Sequence, residues 1–105
     1  MASETCALDI IGATFIREVE NGEIVIVENK QLKSIKPFPK QKSRPCIFEY
    51  IYFARPDSVI NNKCAYEYRK NLGIELAKET DLEADFVVPV PDSGVPAALG
   101  YSEQY

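Results

Sequence analysis

Apolar and polar residues alternate along the first third of the chain as they do in short antiparallel strands. Residues 14–19, the segment EIVIVE at residues 23–28 and the weaker segment at residues 31–38 each predict a strand. Tight turns are expected between them at Asn21–Gly22 and Asn29–Lys30, because asparagine and glycine tolerate positive φ. We therefore predict an antiparallel meander over residues 14–38.

Helical spacing appears on both sides of this meander. Ser3 is a candidate cap for a short helix over residues 3–10, which Gly12 would end. A longer helix is predicted over residues 63–79, with Asn61 or Asn62 as its cap. Its apolar stripe is formed by residues three or four positions apart, namely Ala65, Tyr68 or Arg69, Leu72 and Leu76.

A proline-rich segment, PFPKQKSRP at residues 37–45, interrupts the pattern and predicts a linker or a domain boundary. The aromatic and apolar segment CIFEYIYF at residues 46–53 then predicts a strand. The alternation of strand and helix after the linker is typical of a parallel α/β sheet. The chain therefore combines an antiparallel first half, giving α+β character, with an α/β second half.

Residues 84–100, ADFVVPVPDSGVPAALG, predict a strand, a tight turn and a helix start. The run from Phe86 to Val90 suits a strand buried on both faces, and Pro91 would end it. Ser93 is a candidate N-cap, and Pro96 falls in the first turn, where proline is tolerated. The N–H groups of residues 93–95 would then form an anion site at the helix N-terminus. A plain strand–turn–helix with a capping serine is the alternative.

Composition narrows the function classes. The 105 residues allow at most one domain, and the net charge of −4 argues against a binder of nucleic acid or of an anionic membrane. No apolar run approaches the roughly 18 residues of a membrane span, and no signal peptide follows Met1. Three widely spaced cysteines suit the reducing cytoplasm. The absence of histidine removes the commonest general base and metal ligand.

The two halves differ in class, and each is too short to form a domain by itself. We therefore expect a fragment that covers the end of one domain and the start of another. Such a fragment should be poorly stable alone, because an unpaired strand exposes its hydrogen-bonding edges.

Three strings give the chain a family resemblance: ASETCALDIIGATFIREVENGEIVIV, PCIFEYIYFARPDSVI and DFVVPVPDSGVPAALGYSEQ. Together they closely resemble the amidophosphoribosyltransferases, also called glutamine phosphoribosylpyrophosphate amidotransferases. Members join a glutaminase domain of the N-terminal-nucleophile type to a type I phosphoribosyltransferase domain. They convert phosphoribosylpyrophosphate and glutamine to 5-phosphoribosylamine, pyrophosphate and glutamate, the first step of de novo purine (IMP) biosynthesis.

The resemblance implies where this chain would lie in such an enzyme. Residues 1–40 resemble the C-terminal part of the glutaminase domain, residues 41–60 a linker and first strand, and residues 61–105 the start of the phosphoribosyltransferase domain. The family's nucleophilic cysteine and its acidic pair are not matched here, so no catalytic residue is assigned and the fragment alone should be inactive. A cytoplasmic homo-oligomer acting on these small molecules, without nucleic acid or membrane, is implied for the full-length protein.

The resemblance also implies site residues. Asp92, Ser93 and Gly94 match the family's pyrophosphate loop, and the Ser93 hydroxyl would meet Mg²⁺ or water bound to it. Asp92 is the weaker metal candidate, since its carboxylate repels pyrophosphate. Cys46 matches the first of four cysteines that hold a [4Fe–4S] cluster in many members; a buried structural thiol is the alternative.

Two further interpretations complete the picture. Cys6 and Cys64 are expected to be packing residues, and the turn containing Arg55, Asp57 and Ser58 is expected to be structural, with Asp57 or Ser58 satisfying local N–H groups. The functional alternative to the enzyme is a non-catalytic small α+β interaction module.

Overall fold

The computed structural model describes residues 1–105, which separate into two compact units. One unit comprises residues 15–45, and the other comprises residues 1–14 together with residues 46–105. The N-terminal helix thus groups with the second half of the chain. The predicted boundaries at residues 40 and 60 divide the chain between two enzyme domains. This division stays a prediction.

A β-hairpin forms the centre of the unit at residues 15–45. Strand β1, Ile24–Glu28, pairs antiparallel with β2, Gln31–Ile35, and Ile24 faces Ile35 in the register. Asn29 and Lys30 have φ of 50° and 62°, which confirms the predicted tight turn. The predicted third strand at residues 14–19 is wrong, because this segment forms no ladder and reaches the hairpin through the Arg17 side chain.

Glu23, just before β1, is the polar centre of this unit. Its carboxylate accepts hydrogen bonds from the Arg17 guanidinium at 2.6 and 2.8 Å, the Ser34 hydroxyl at 2.5 Å and the Glu20 backbone N–H at 2.8 Å. The side chain is only 1% exposed. Hydrogen bonding by Arg17, followed by Ser34, holds the pKa of Glu23 far below its ordinary value. One carboxylate therefore ties the preceding segment to both strands.

The other unit contains three helices and a second small hairpin. Helices α1, α2 and α3 span Thr5–Ile10, Ala65–Glu79 and Val95–Gln104, and β3, Val59–Ile60, pairs with β4, Lys63–Cys64. Asn61 and Asn62 have positive φ and form the turn of that hairpin, so the predicted cap of α2 is wrong. Ser3 is not a cap either: Glu4 precedes α1, and no side chain caps the helix.

The predicted strand at residues 46–53 is wrong. Glu49–Phe53 forms a single wide turn, here called the π-helical turn. Arg69, only 2% exposed, donates to the carbonyl oxygens of Tyr50 at 2.7 Å and Ala54 at 2.8 Å. Because a buried guanidinium needs acceptors, these carbonyls are directed toward Arg69 and cannot join a sheet ladder.

The predicted buried strand at residues 86–90 also fails in this chain. The segment is extended but pairs with no strand, and Phe86 and Val88 are 85% and 83% exposed. A strand exists only through a neighbouring strand's hydrogen bonds, and the two sheets formed here are antiparallel pairs elsewhere in the chain. Small antiparallel sheets with helices confirm the α+β character, whereas the predicted parallel sheet is not formed.

Helices α2 and α3 make the most extensive packing in this unit. The buried face of α2 consists of Ala65, Arg69 and Gly73, spaced four residues apart. Ala65 thus belongs to the core as predicted, while Leu72 and Leu76 lie at the exposed side of the helix. None of the helices combines the length and apolar character needed to cross a membrane.

Replacement of Glu23 by glutamine should loosen the β1–β2 hairpin, because the amide loses the charge that attracts Arg17. In the unchanged chain the pKa of Glu23 is depressed, so its stabilisation is complete above its ordinary pKa of 4.5 and is lost as pH falls below that value. Amide hydrogen exchange of β1 and β2, corrected for intrinsic rates, should therefore accelerate on acidification. Glu23→Gln should accelerate exchange at neutral pH and flatten the acid response.

Glu28→Gln is the matched control, since Glu28 is an exposed glutamate at the other end of β1. It should leave both exchange rate and acid response close to those of the unchanged chain. Equal behaviour of the two variants would show that the Glu23 contacts do not hold the hairpin.

Candidate functional site

The turn at residues 91–94 leads directly into α3. The Pro91–Asp92 peptide bond is cis, and α3 begins at Val95 with Pro96 in its first turn, as predicted. Asp92 is exposed, while Ser93 and Gly94 are half-buried. The structure therefore brings the three predicted site residues together at one helix start.

Ser93 does not cap α3, contrary to the prediction. Gly94 occupies the cap position with helical dihedrals, φ −77° and ψ −13°, and no side-chain oxygen bonds the first turn. Because Gly94 is the cap residue, Ser93 precedes the cap by one position, and its hydroxyl does not bond the N–H groups of the first helical turn. Its hydroxyl is consequently free of the capping role that would compete with a ligand.

The backbone N–H groups of the turn are only partly available. Gly94 N–H donates to the Val90 carbonyl at 3.1 Å, and Val95 N–H donates to the Asp92 carbonyl at 3.2 Å. The predicted trio of free donors at residues 93–95 is therefore wrong for this conformation, because two of them close the turn. Ser93 N–H is the donor of that trio without a backbone acceptor.

Glycine at position 94 is required by the turn itself. A Cβ atom there would lie 2.6 Å from the Val90 carbonyl oxygen, well inside contact distance. Since φ is negative, close approach rather than unusual backbone conformation excludes a side chain. Any larger residue must push the turn away from the extended segment before it.

An apolar groove of about 580 Å³ adjoins this turn at Gly94. Leu72 and Leu76 of α2, Val88 of the extended segment and Ala98 of α3 contribute to its lining. Such a surface offers nothing to a polyanion, whose desolvation it could not offset. Asp92 does not line this groove and is exposed to solvent.

The donor set at the turn fits a magnesium ion only in part. No group of three or more histidine, cysteine or acidic side chains gathers anywhere in the chain. Mg²⁺ commonly uses one or two protein oxygens with waters and substrate phosphates completing the shell. Ser93 and Asp92 can supply such oxygens, so the residues suit a metal that arrives with a phosphorylated substrate.

Cys46 is exposed, so the predicted alternative of a buried thiol is wrong. A [4Fe–4S] cluster needs four thiolates, and this chain has three cysteines that do not gather. The Cys6 thiol lies in a buried hydrogen-bonded group, and the Cys64 thiol donates to the Pro56 carbonyl at 3.3 Å. These residues do not fit a cluster by themselves, and Cys46 could contribute at most one ligand.

The turn at residues 55–58 is structural, as predicted, but through long-range contacts. Ser58 is completely buried, and its hydroxyl donates to Glu4 Oε2 at 2.6 Å while lying 3.1 Å from Cys6 Sγ. The Cys6 thiol in turn donates to the same Glu4 Oε2 at 3.7 Å, so the three side chains form one hydrogen-bonded group. Arg55 and Asp57 pair with each other at the exposed side of the turn.

Glu4 is the residue of this group that the sequence did not reveal. Its Oε2 also accepts from the Arg55 backbone N–H at 2.9 Å, and Thr5 Oγ1 accepts from Val59 N–H at 2.8 Å. The Ser58 hydrogen bond, followed by that of the Arg55 backbone, lowers the pKa of Glu4. A glutamate before a six-residue helix carries no local signal for contacts more than fifty positions away.

The fold of this chain is also found as one segment of larger proteins of known structure. It matches the solved structure of the allosteric regulatory enzyme of purine biosynthesis with a TM-score of 0.91 and 49% identity, over 97% of this chain and 22% of that one. The glutamine phosphoribosylpyrophosphate amidotransferase of Bacillus subtilis, solved with ADP and GMP, gives a TM-score of 0.90 and 49% identity over the same shares. No protein-family model matches the chain.

Curated relatives agree. The amidophosphoribosyltransferases of Rhizobium etli and Archaeoglobus fulgidus are 59% and 46% identical, over 97% and 99% of this chain. The chain spans about one fifth of their length, 22% and 23%. The chain corresponds to one segment of the amidophosphoribosyltransferases, which confirms the resemblance.

Removal of the buried Ser58 hydroxyl tests the structural role of the Glu4–Cys6–Ser58 group. Ser58→Ala should lower the free energy of unfolding by about 1–3 kcal/mol, because buried polar partners lose a hydrogen bond. Ser102→Ala, on the exposed side of α3, is the control and should change it by less than about 0.5 kcal/mol. Denaturant unfolding of a protein that contains this segment measures the change in free energy for each variant. Equal changes for Ser58→Ala and Ser102→Ala would contradict the structural role of Ser58.

Proposed function

We propose that this chain is part of an amidophosphoribosyltransferase. The complete enzyme would convert phosphoribosylpyrophosphate and glutamine to 5-phosphoribosylamine, pyrophosphate and glutamate, in the first step of de novo purine biosynthesis. The observation that carries the proposal is 59% identity to the Rhizobium etli enzyme across 97% of this chain. The segment itself would bind part of one substrate and would not catalyse the reaction alone.

Within that enzyme, residues 1–40 would complete the glutaminase domain, residues 41–60 would connect the domains, and residues 61–105 would begin the phosphoribosyltransferase domain. The contrast between the β-hairpin unit at residues 15–45 and the unit rich in helices supports a change of architecture near residue 45, while residues 1–14 group with the helical unit. The proline-rich segment at residues 37–45 supports a connection in this region.

The turn at residues 91–94 would receive the pyrophosphate group that leaves in the reaction. The Ser93 N–H and hydroxyl can both donate to phosphate oxygens, and the cap geometry leaves each of them available. Bound Mg²⁺ would supply positive charge to the polyanion, with the Ser93 hydroxyl and the Asp92 carboxylate as its protein oxygens. The acidic net charge of −4 gives the metal an added electrostatic role.

A free-standing α+β interaction module is the competing function, and the exposed apolar residues weigh against it. Phe86 and Val88 are almost fully exposed, in an extended segment whose hydrogen-bonding edges are open. Isolated modules avoid such edges because they promote aggregation. Cover by further protein of the same enzyme explains these residues better.

A cytoplasmic homo-oligomer without nucleic acid or membrane partners completes the proposal. The free thiols of Cys6, Cys46 and Cys64 support a reducing compartment. The net negative charge supports small-molecule substrates rather than nucleic acid.

Ser93→Ala in the complete enzyme should raise the Kd for phosphoribosylpyrophosphate roughly fivefold, as expected for one hydrogen bond of about 1 kcal/mol. Because Ser93 does not cap α3, the melting temperature should stay unchanged. Gly94→Val should raise the Kd further, since its side chain displaces the turn from Val90. Titration calorimetry with and without Mg²⁺ measures both effects, and excess Mg²⁺ should reduce the Ser93→Ala defect.

Ser102→Ala serves again as the control, because it removes an exposed hydroxyl near the C-terminal end of α3, away from the turn. Its Kd should equal that of the unchanged enzyme. If Ser93→Ala and Gly94→Val also bind normally, the turn is not the pyrophosphate site.

The iron–sulfur assignment of Cys46 has its own test in the complete enzyme. Cys46→Ser should abolish the visible absorption of the cluster after anaerobic reconstitution, because a serine oxygen replaces a thiolate ligand poorly. Cys64→Ser is the matched control and should retain the cluster. Unchanged iron and sulfide in Cys46→Ser would assign Cys46 to the protein surface alone.

A further inference from the structure

Two glycines allow the backbones of α2 and α3 to touch. Gly73 of α2 faces the Ala97 backbone, and Gly100 of α3 faces the Lys70 backbone. A Cβ atom at Gly73 would lie 1.8 Å from the Ala97 carbonyl oxygen and 2.7 Å from its carbonyl carbon. Because these are backbone atoms, no side-chain rotation could relieve the collision.

The Gly73 contact lies at the first turn of α3. Ala97 follows Gly94 by only three positions, and Ala98 N–H donates to the Gly94 carbonyl at 3.0 Å. The bonds from Gly94 to Val90 and from Val95 to Asp92 continue this chain of contacts through the turn. A displacement of the Ala97 backbone would therefore also displace Ser93, because these hydrogen bonds connect the two residues.

We propose that Gly73 is a positioning residue for the turn at residues 91–94, although it lies on a different helix and is buried. The inference rests on the proposed function, in which that turn receives pyrophosphate. Gly73 sets the distance between α2 and the start of α3, and that distance fixes where the Ser93 N–H and hydroxyl stand. A methyl group at position 73 moves these donors without removing any of them.

Gly100 provides a matched control for this proposal. A Cβ atom there would lie 2.0 Å from the Lys70 carbonyl oxygen, so Gly100→Ala inserts the same methyl group into the same helix interface. Its position is three residues further along α3, about 4.5 Å from Ala97 along the axis. Both variants should strain the interface between α2 and α3, but only Gly73→Ala does so next to the turn at residues 91–94.

The test compares Gly73→Ala and Gly100→Ala in the complete enzyme that carries this segment. Both should lower the melting temperature. Gly73→Ala should raise the Kd for phosphoribosylpyrophosphate about tenfold or more, since small misplacements of binding groups have large effects. Gly100→Ala should change it less than about threefold. In steady-state kinetics, Gly73→Ala should raise the KM for phosphoribosylpyrophosphate by a larger factor than it lowers kcat.

Equal rises in Kd for the two variants, or none for Gly73→Ala, would overturn the proposal and leave the glycines as packing residues. If Gly73→Ala does not accumulate as folded protein, the coupling is tested by amide hydrogen exchange of the unchanged enzyme. Phosphoribosylpyrophosphate with Mg²⁺ should then slow amide exchange at Ala97 and Ala98 and in the part of α2 around Gly73. Slowing confined to residues 91–95 would contradict the coupling.

Failure of the proposed function gives a different result. In that case Ser93→Ala and Gly94→Val bind phosphoribosylpyrophosphate normally, whatever Gly73→Ala does. Normal binding by Gly73→Ala together with weak binding by the two turn variants rejects the role of Gly73 and retains the function of the turn.

Discussion

The backbone contact between α2 and α3 governs the geometry of the unit that carries the candidate site. Side chains normally keep helix axes about 8–10 Å apart, and only glycine permits the main chains themselves to meet. Gly73 and Gly100 provide one such point on each helix. Because Ala97 lies in the first turn of α3, this contact sets the distance between α2 and the start of α3. The position of the turn at residues 91–94 follows from it.

The same face of α2 organises the opposite end of the unit. Arg69 lies one helical turn before Gly73 and binds the carbonyl groups of Tyr50 and Ala54. Tyr50 in turn packs against Tyr68 with the rings tilted by 40° and their centroids 4.8 Å apart. One helix thus holds the π-helical turn by a guanidinium and the start of α3 by a glycine.

Polar groups carry much of the remaining organisation, because the apolar core is small. The buried apolar residues are Cys6, Tyr50, Ala54 and Ala65. Every buried side-chain nitrogen and oxygen has a hydrogen-bond partner. Glu4 and Glu23 each gather several donors and so fix short segments that burial alone would not order. The large exposed apolar residues are consistent with a segment covered by the rest of an enzyme.

Local signals in the sequence predicted part of this structure well. The β1–β2 hairpin, its turn at Asn29–Lys30 and the long helix α2 all depend on neighbouring residues, which a sequence displays. The predicted stripe of α2 contained Ala65 and offered Tyr68 or Arg69, but it continued through Leu72 and Leu76 and did not include Gly73. The signal for close helix packing was therefore missed.

The errors arose where distant contacts decide the backbone. The segment CIFEYIYF has strand propensity, but it forms the π-helical turn because Arg69 binds its backbone carbonyl groups. The run at residues 86–90 has the composition of a buried strand, and no strand of this chain pairs with it. Ser93 had the right residue type for a cap, but the contact of Gly94 with Val90 shifted the cap by one position.

A crystal structure of the complete enzyme with Mg²⁺ and phosphoribosylpyrophosphate tests the central claim most directly. The quantity to measure is the distance from the pyrophosphate oxygens to the backbone nitrogen and hydroxyl oxygen of Ser93. The account predicts hydrogen-bond distances, about 2.7–3.2 Å, with the α2–α3 contact at Gly73 retained. Pyrophosphate bound away from residues 91–94 would contradict it.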